Sequence, residues 1–497
     1  LSKKKTYVKT ENFPSYYKNE PYDHQLKCIS WLDEKENAAL FLDMGTGKTF
    51  ITITDVNRLY EKRKLVNVLV ICPNSVKYTV WEEEIGKHSK NNNNIHIFSS
   101  KNKAAAKKWL DNLKCGQNNS INWFIMPVEA LSQGSAHQYM DEFLQIVPYL
   151  TMSVIDESTT IKNPRAARTK KVIIPNKEIP YKRVLSGTPI TKGVEDLYTQ
   201  YFFLSKDIID MKSYFIFRNR YCIMGGFQQK AIVGYKYQDE LMKKLEPHTF
   251  QITKEECLDL PEKVYETRMV EMSPEQNKLY ESMRKNLIAE IEGCEVVATV
   301  AVTKLLRLQQ ITGGFLSVPD IDVLTGKETV RAADIEGKNP KLNEVLSILD
   351  TVDAKVIIWC RFIAEIDAVH AALEKKGIRA VKSHGRIKQE ERTAAVHDFQ
   401  TDDTIRAYVG QPEGGGIGIT LTKASLVIYY SNSFSSVARE QSESRAHRIG
   451  QVNKVTYIDL IMNDTIDKKI ILAIRKKLDF SKIVMQSIKQ GKWREVL

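Results

Sequence analysis

Short apolar runs bounded by polar residues recur in two series along the chain. In the first they fall at residues 38–43, 66–72, 121–126, 152–156 and 183–186, with amphipathic stretches between them. Brief apolar runs alternating with helix-period stretches predict buried parallel strands covered by helices. The same pattern returns at residues 355–359, 379–383, 406–409, 425–430 and 455–460. The chain therefore reads as α/β, with two parallel-sheet lobes and a helix-rich middle segment. Within that middle, Ser273-Pro274-Glu275 is a predicted helix start, because Ser caps free amides and Pro suits the first turn. Asn91 to Asn94 and Gly414-Gly415-Gly416 carry turn chemistry and predict loops. The expected organisation is residues 1–245 for the first lobe with the start of a helical protrusion, 246–339 for the connection and protrusion, and 340–497 for the second lobe with a helical tail.

Length agrees with this division, since 497 residues exceed one ordinary core and domains usually run to ~100–200 residues. A composition 42% hydrophobic and 27% charged is that of a water-soluble globular chain, and no apolar run approaches the ~18 residues of a membrane span. The basic opening Leu1-Ser2-Lys3-Lys4-Lys5 leads into no apolar segment, so it does not read as a secretory signal. Seven scattered cysteines have no metal-site or redox spacing and read as reduced. A net charge of +12 favours a polyanionic partner, because Lys and Arg that neutralise phosphates release counterions. Charge alone fits simple solubility equally well.

Chemistry enters at the end of the first apolar run. Leu42-Asp43-Met44-Gly45-Thr46-Gly47-Lys48-Thr49 stands between a predicted strand and a predicted helix, which is the context of a phosphate loop. Gly45 and Gly47 let the backbone amides, with that of Thr46, turn toward phosphates. Lys48 neutralises the β- and γ-phosphates, and Thr49 is a candidate magnesium ligand. The strict motif has Gly where Leu42 stands, so this is the shorter form. Asp156 and Glu157 end another apolar strand, which puts two carboxylates at the sheet edge where nucleotides bind. In that place Asp156 holds magnesium through water and Glu157 polarises the attacking water.

Across nearly its whole length the chain resembles the Swi/Snf-type DNA translocases of helicase superfamily two. Tyr22-Asp23-His24-Gln25 is similar to the adenine-reading Gln motif, and Val70-Ile71-Cys72-Pro73 with Trp81 downstream is similar to motif Ia. Asp156-Glu157 with the tail Ile161-Lys162-Asn163 resembles motif II, and Ser186-Gly187-Thr188-Pro189 resembles motif III. Gly414 to Leu421, which includes Gly418, resembles motif V, and Gln441 to Gln451 resembles motif VI. The resemblance implies that the two parallel-sheet lobes are RecA-like, with ATP as fuel and Mg2+ as its counterion, and with Gln25, Gly418 and Gln441 at the nucleotide. Arg445 and Arg448, three apart and expected on one helix face, are the implied arginine fingers. His447, between them, reads as a hydrogen-bonded packing residue.

Departures from the family pattern are Ser158-Thr159 in place of Ala-His, Gln251-Ile252 in place of two arginines, and Phe434 in place of Trp. The implied partner is double-stranded DNA, gripped through its backbone without sequence preference, together with a DNA-bound protein target. A monomer with no membrane association is expected. A strand-separating helicase on branched DNA or RNA is the alternative, against which the Ile161-Lys162-Asn163 tail argues. A non-hydrolysing scaffold is disfavoured by the intact Lys48, Asp156, Glu157, Arg445 and Arg448. A minimal motor of this size suits the cytoplasm of a prokaryote or a virus-infected cell better than a nucleus.

Overall fold

The computed structural model describes residues 14–116, 119–132, 134–191, 193–211, 213–225, 231–257, 260–293, 298–321, 328–412 and 419–476. The chain divides into two compact units, Leu1–Leu258 and Asp259–Leu497.

In the first unit the apolar runs become β1 (Asn37–Leu42), β2 (Asn67–Cys72), β4 (Ile121–Pro127), β5 (Thr151–Asp156) and β6 (Tyr181–Leu185). They are joined by β3 (Asn93–Ile97), the hairpin β7 (Cys222–Gly225) and β8 (Ala231–Tyr235), and β9 (Thr249–Ile252). Seven of these strands form one parallel sheet in the order β3-β4-β2-β5-β6-β1-β9. Every residue of β2 and β4 is buried, the continuous burial of strands covered by helices on both faces. Helices α1 (Asp23–Leu32), α2 (Lys48–Glu61) and α3 (Leu197–Leu204) matter most for the site. Because β5, β6 and β1 are neighbours and parallel, the loops leaving their carboxyl ends lie side by side.

An ion-pair network fixes α2 to this sheet. Asp55 on α2 accepts from the Arg183 Nε on β6 at 3.0 Å and pairs with its Nη2 at 2.8 Å, and both residues are fully buried. Arg58, one turn along α2, also pairs with Asp55. Removing one partner of such a buried pair leaves an uncompensated charge and costs about 3–5 kcal/mol.

The second unit contains β10 (Lys263–Val270), the hairpin β11 (Phe315–Ile321) and β12 (Glu328–Asp334), then β13 (Val356–Trp359), β14 (Ala380–Ser383), β15 (Ala407–Gly410), β16 (Leu426–Tyr429) and β17 (Val455–Met462). Its parallel sheet runs β10-β17-β16-β13-β15-β14. Strand β13 shows how both faces are used. Val356 and Ile358 pack into one core with Val345 and Ile366, whereas Ile357 and Trp359 pack into another with Tyr408 and Val427. Helix α4 (Ser436–Ala446) carries most of the motif VI stretch. The predicted start at Ser273 is observed: its hydroxyl accepts from the Gln276 amide at 3.2 Å, the Gln276 side chain accepts from the Ser273 amide at 3.2 Å, and the helix Pro274–Gly293 follows.

All ten predicted runs form strands whose ends fall within two residues of expectation. Three features differ from the sequence reading. Asn93 and Asn94, expected in a loop, open β3. Their side chains supply the reason: Asn94 donates to Asn122 at 3.0 Å, Asn122 donates to Asn67 at 3.0 Å, and Trp123 donates to Asn93 at 2.9 Å. This asparagine ladder satisfies amides that would otherwise favour a turn, and it sets the register of three strands. The stretch from Asp207 to Asn339, expected to be helix-rich, also holds two antiparallel hairpins, β7–β8 and β11–β12. Residues 246–339 contribute a strand to each sheet, β9 to the first and β10 to the second. Gly414-Gly415-Gly416 lies outside the described residues. Among those described, no helix is long and apolar enough to cross a membrane.

Candidate nucleotide site

The turn after β1 is built around two left-handed glycines, Gly45 with φ 82° and Gly47 with φ 93°. A Cβ on Gly47 would be strained by this backbone and would displace the Gln25 side-chain amide, which stands 2.2 Å from where it would lie. Thr46, fully buried, donates its hydroxyl to the Asp43 carbonyl at 2.8 Å. Its own carbonyl accepts from the His24 ring at 2.8 Å and from the Gln25 amide at 3.2 Å. Burial holds the His24 pKa below its ordinary value, so the neutral ring donates through Nε2. Gln25 also accepts from the Tyr22 amide at 3.0 Å, which caps α1. The Gln motif residues thus brace the loop from behind. Asp43 is tied to the end of β9 by the Lys254 amide at 3.0 Å.

Lys48 opens α2 and turns its ammonium back onto the loop, donating to the Leu42 carbonyl at 2.8 Å and the Asp43 carbonyl at 3.3 Å. Thr49 follows, half-buried in the first helical turn. From the end of β5, Asp156 accepts from the Trp81 indole at 3.0 Å and from the Glu157 amide at 2.9 Å. Glu157 stands in the left-handed region with φ 49°, a strained conformation for a residue with a side chain. Burial raises both carboxyl pKa values, that of Glu157 to about 7, where the neighbouring Asp156 charge adds to the effect. Lys48 is the cation that opposes both shifts.

The loop after β6 closes the arrangement. Ser186 accepts from the Thr188 amide at 3.1 Å. A Cβ on Gly187 would meet the Met44 Cγ at 3.1 Å and its amide at 3.3 Å, so this loop packs directly on the phosphate loop. Lys48, Asp156 and Glu157 are therefore brought together, with Gly45, Thr46, Gly47 and Thr49 in the phosphate loop and the first turn of α2, and with Gln25 packed against that loop.

Two buried carboxyls facing one ammonium leave an excess of negative charge that a divalent cation would relieve. Among the described residues, no group of three or more His, Cys, Asp or Glu could hold a metal ion. Magnesium is commonly held by one or two carboxylates with phosphate oxygens and water, so Asp156 and the Thr49 hydroxyl fit it.

The second unit corrects one expectation. Helix α4 ends at Ala446 and His447 is its C-cap, so Arg448 lies beyond the helix and does not share a helical face with Arg445. Arg445 is buried, donates to the Pro412 carbonyl at 2.6 Å and lies 5.4 Å from the Trp359 ring centre, and burial lowers its pKa to about 10. Arg448 is half-buried, with a 3.5 Å contact to the Ile419 carbonyl. Gln441 lies half-buried on α4, and Gly418 lies outside the described residues. His447 hydrogen-bonds the Pro261 carbonyl at 2.7 Å, as its packing role requires. In the sequence Gln200 and Asp196 belong to no motif, and Trp81 stands only as the residue downstream of motif Ia. The structure buries Trp81 fully, and its indole N–H then needs an acceptor, which Asp156 supplies.

Two parallel-sheet units, the first with a phosphate loop, an Asp-Glu pair and a Ser-Gly-Thr loop on adjacent strand ends, define the RecA-like class of helicase-type P-loop ATPases. More narrowly, the chain belongs to the SNF2-related family: residues 24–313 match the SNF2-related domain and residues 337–450 match the helicase conserved C-terminal domain. It is similar to the chromatin remodeling factor mit1 of Schizosaccharomyces pombe, 25% identical over 94% of this chain and 33% of that protein. It is also similar to the transcription regulatory protein SNF2 of Saccharomyces cerevisiae, 25% identical over 94% of this chain and 28% of that protein. The uncharacterized ATP-dependent helicase MG018 of Mycoplasma genitalium is 26% identical over 92% of this chain and 42% of that protein. The chain thus spans less than half the length of these three relatives. Among solved structures, the Sulfolobus solfataricus SWI2/SNF2 ATPase core in complex with dsDNA is 24% identical, covering 98% of each chain with a TM-score of 0.42. The fold assignment stands on the two sheets themselves.

Proposed function

We propose that the protein is an ATP-dependent double-stranded DNA translocase. The observation that carries this reading is the convergence of Lys48, Asp156 and Glu157 at adjacent strand ends in a chain of the SNF2-related family. ATP is the substrate. The loop amides and Lys48 hold its phosphates, while Asp156 and Thr49 are the residues that would hold Mg2+, which supplies charge neutralisation for the departing phosphate. Glu157 orients the attacking water and accepts its proton, and Trp81 keeps Asp156 from rotating away. From the second unit, Arg448 is the better candidate finger because it is the less buried of the two arginines, whereas Arg445 is committed to the Pro412 carbonyl.

Several features support DNA as the track: the +12 charge, the Ile161-Lys162-Asn163 tail and the relative named a chromatin remodeling factor. Contacts to backbone phosphates carry no sequence information, so movement without sequence preference is expected. The protein acts as a monomer and displaces or remodels what is bound to the duplex. The relative named an ATP-dependent helicase supports the second reading, strand separation. The two differ in whether the strands part, which requires about 1.4 kcal/mol per base-pair step. A duplex carrying a triplex-forming third strand and a forked duplex, each incubated with ATP, decide between them. Third-strand displacement with the fork still paired supports translocation; fork unwinding without triplex displacement overturns it.

A further inference from the structure

Ser158 stands where the family has Ala at the head of an Ala-His pair, which raises the question of how the Asp-Glu turn is connected to the Ser-Gly-Thr loop. The connection runs through a residue of neither motif. Ser158, fully buried, donates its hydroxyl to the Gln200 Oε1 at 2.6 Å. The Gln200 amide nitrogen donates to the Pro189 carbonyl at 2.8 Å and to the Asp196 carbonyl at 2.8 Å. Gln200 is itself fully buried on α3, and its two amide hydrogens and its oxygen are all used. Its orientation is unambiguous, because reversing it would set the oxygen against two carbonyl acceptors. A second link runs in parallel. Lys162 donates to the Thr191 hydroxyl and lies 3.8 Å from Asp196, whose carboxylate accepts from the Thr191 amide at 2.8 Å and hydroxyl at 2.7 Å.

Ser158 directly follows Glu157, whose left-handed backbone needs surrounding contacts to hold it. Pro189 stands two residues beyond Gly187, which packs on the phosphate loop. We propose that Gln200 is a positioning residue that fixes the Glu157 turn relative to the phosphate loop through Ser158 and Pro189, with Asp196 and Lys162 as a second clasp. This role rests on the ATPase reading. A neutral amide joining two loops carries no charge to the nucleotide, so its loss should misplace the water-orienting carboxylate while leaving phosphate binding intact.

The test is a double-mutant cycle of Gln200→Leu, Ser158→Ala and the pair, reading kcat and KM for ATP with and without duplex DNA. Displacements near 1 Å lower rates on the order of 10- to 100-fold. The expected result is a kcat loss of about that size in each single variant, no further loss in the pair, and KM for ATP within about threefold of the parent. Ser158→Ala removes one hydroxyl and keeps the test open if Gln200→Leu does not fold. Turnover in the parent that Ser158→Ala and Gln200→Leu leave within about twofold, even with lowered melting temperatures, overturns the positioning role alone. Absence of turnover in the parent overturns the ATPase reading and the clasp with it.

Discussion

Replacing Glu157 by Gln should slow the protein and stabilise it at the same time. Burial and the adjacent Asp156 charge lift the Glu157 pKa from its ordinary 4.5 to about 7. Between those values the folded chain keeps a proton that the unfolded chain has released. Stability is therefore full below about pH 4.5, drains as pH rises through the window, and is lowest above about pH 7. At 1.36 kcal/mol per pKa unit the loss reaches roughly 3 kcal/mol, an upper bound because Asp156 titrates with Glu157 and shares the cost. Gln keeps the size and polarity and has no proton to lose. Denaturant titrations of parent and Glu157→Gln at about pH 5 and pH 8, following the unit that contains β5, should show the variant gaining at the higher pH and nearly matching the parent at the lower. Turnover should fall by about 10²–10⁴, the usual contribution of a general base. A stability difference unchanged between the two pH values would refute the buried-carboxylate argument, and turnover within about twofold of the parent would refute the role of Glu157.

The same raised pKa predicts that kcat/KM for ATP climbs through about pH 7 in the parent, since only the ionised carboxylate accepts a proton; a pH profile flat from about pH 6 to pH 8 would contradict it. Lys48→Ala should abolish tight ATP binding, measured by fluorescent nucleotide titration, because it removes the cation facing both carboxyls and the phosphates. Arg448→Ala should cut turnover by about 10³ or more with ATP affinity and folding stability unchanged, whereas Arg445→Ala should also cost about 1–3 kcal/mol of stability as the Pro412 carbonyl loses a buried donor. Duplex affinity should fall with salt at a log-log slope of about −0.9 per phosphate contacted, and a flat response would argue against backbone binding.

What the sequence determined by itself is whatever a short window can encode. Continuous apolar runs specify strands such as β2 and β13 because a strand covered on both faces has no polar side to break the run. Gly45 and Gly47 announce the phosphate loop because only glycine takes both left-handed positions without strain. Ser273 with Gln276 marks a helix start through contacts three residues apart. The tertiary structure alone decided which loops meet. The order β5-β6-β1 brings residues 156–157 and 186–189 to one sheet edge with residues 43–49, which lie more than a hundred positions earlier in the chain. It turned Asn93 and Asn94 into a strand by giving their amides cross-strand partners in Trp123 and Asn122, which no local propensity reports. It ended α4 before Arg448 and buried Arg445 beside Trp359, so two arginines three apart are not equivalent. It also placed Gln200 between Ser158 and Pro189. A hydrogen bond between residues 42 positions apart leaves no periodic trace in a sequence, and only the packed chain shows it.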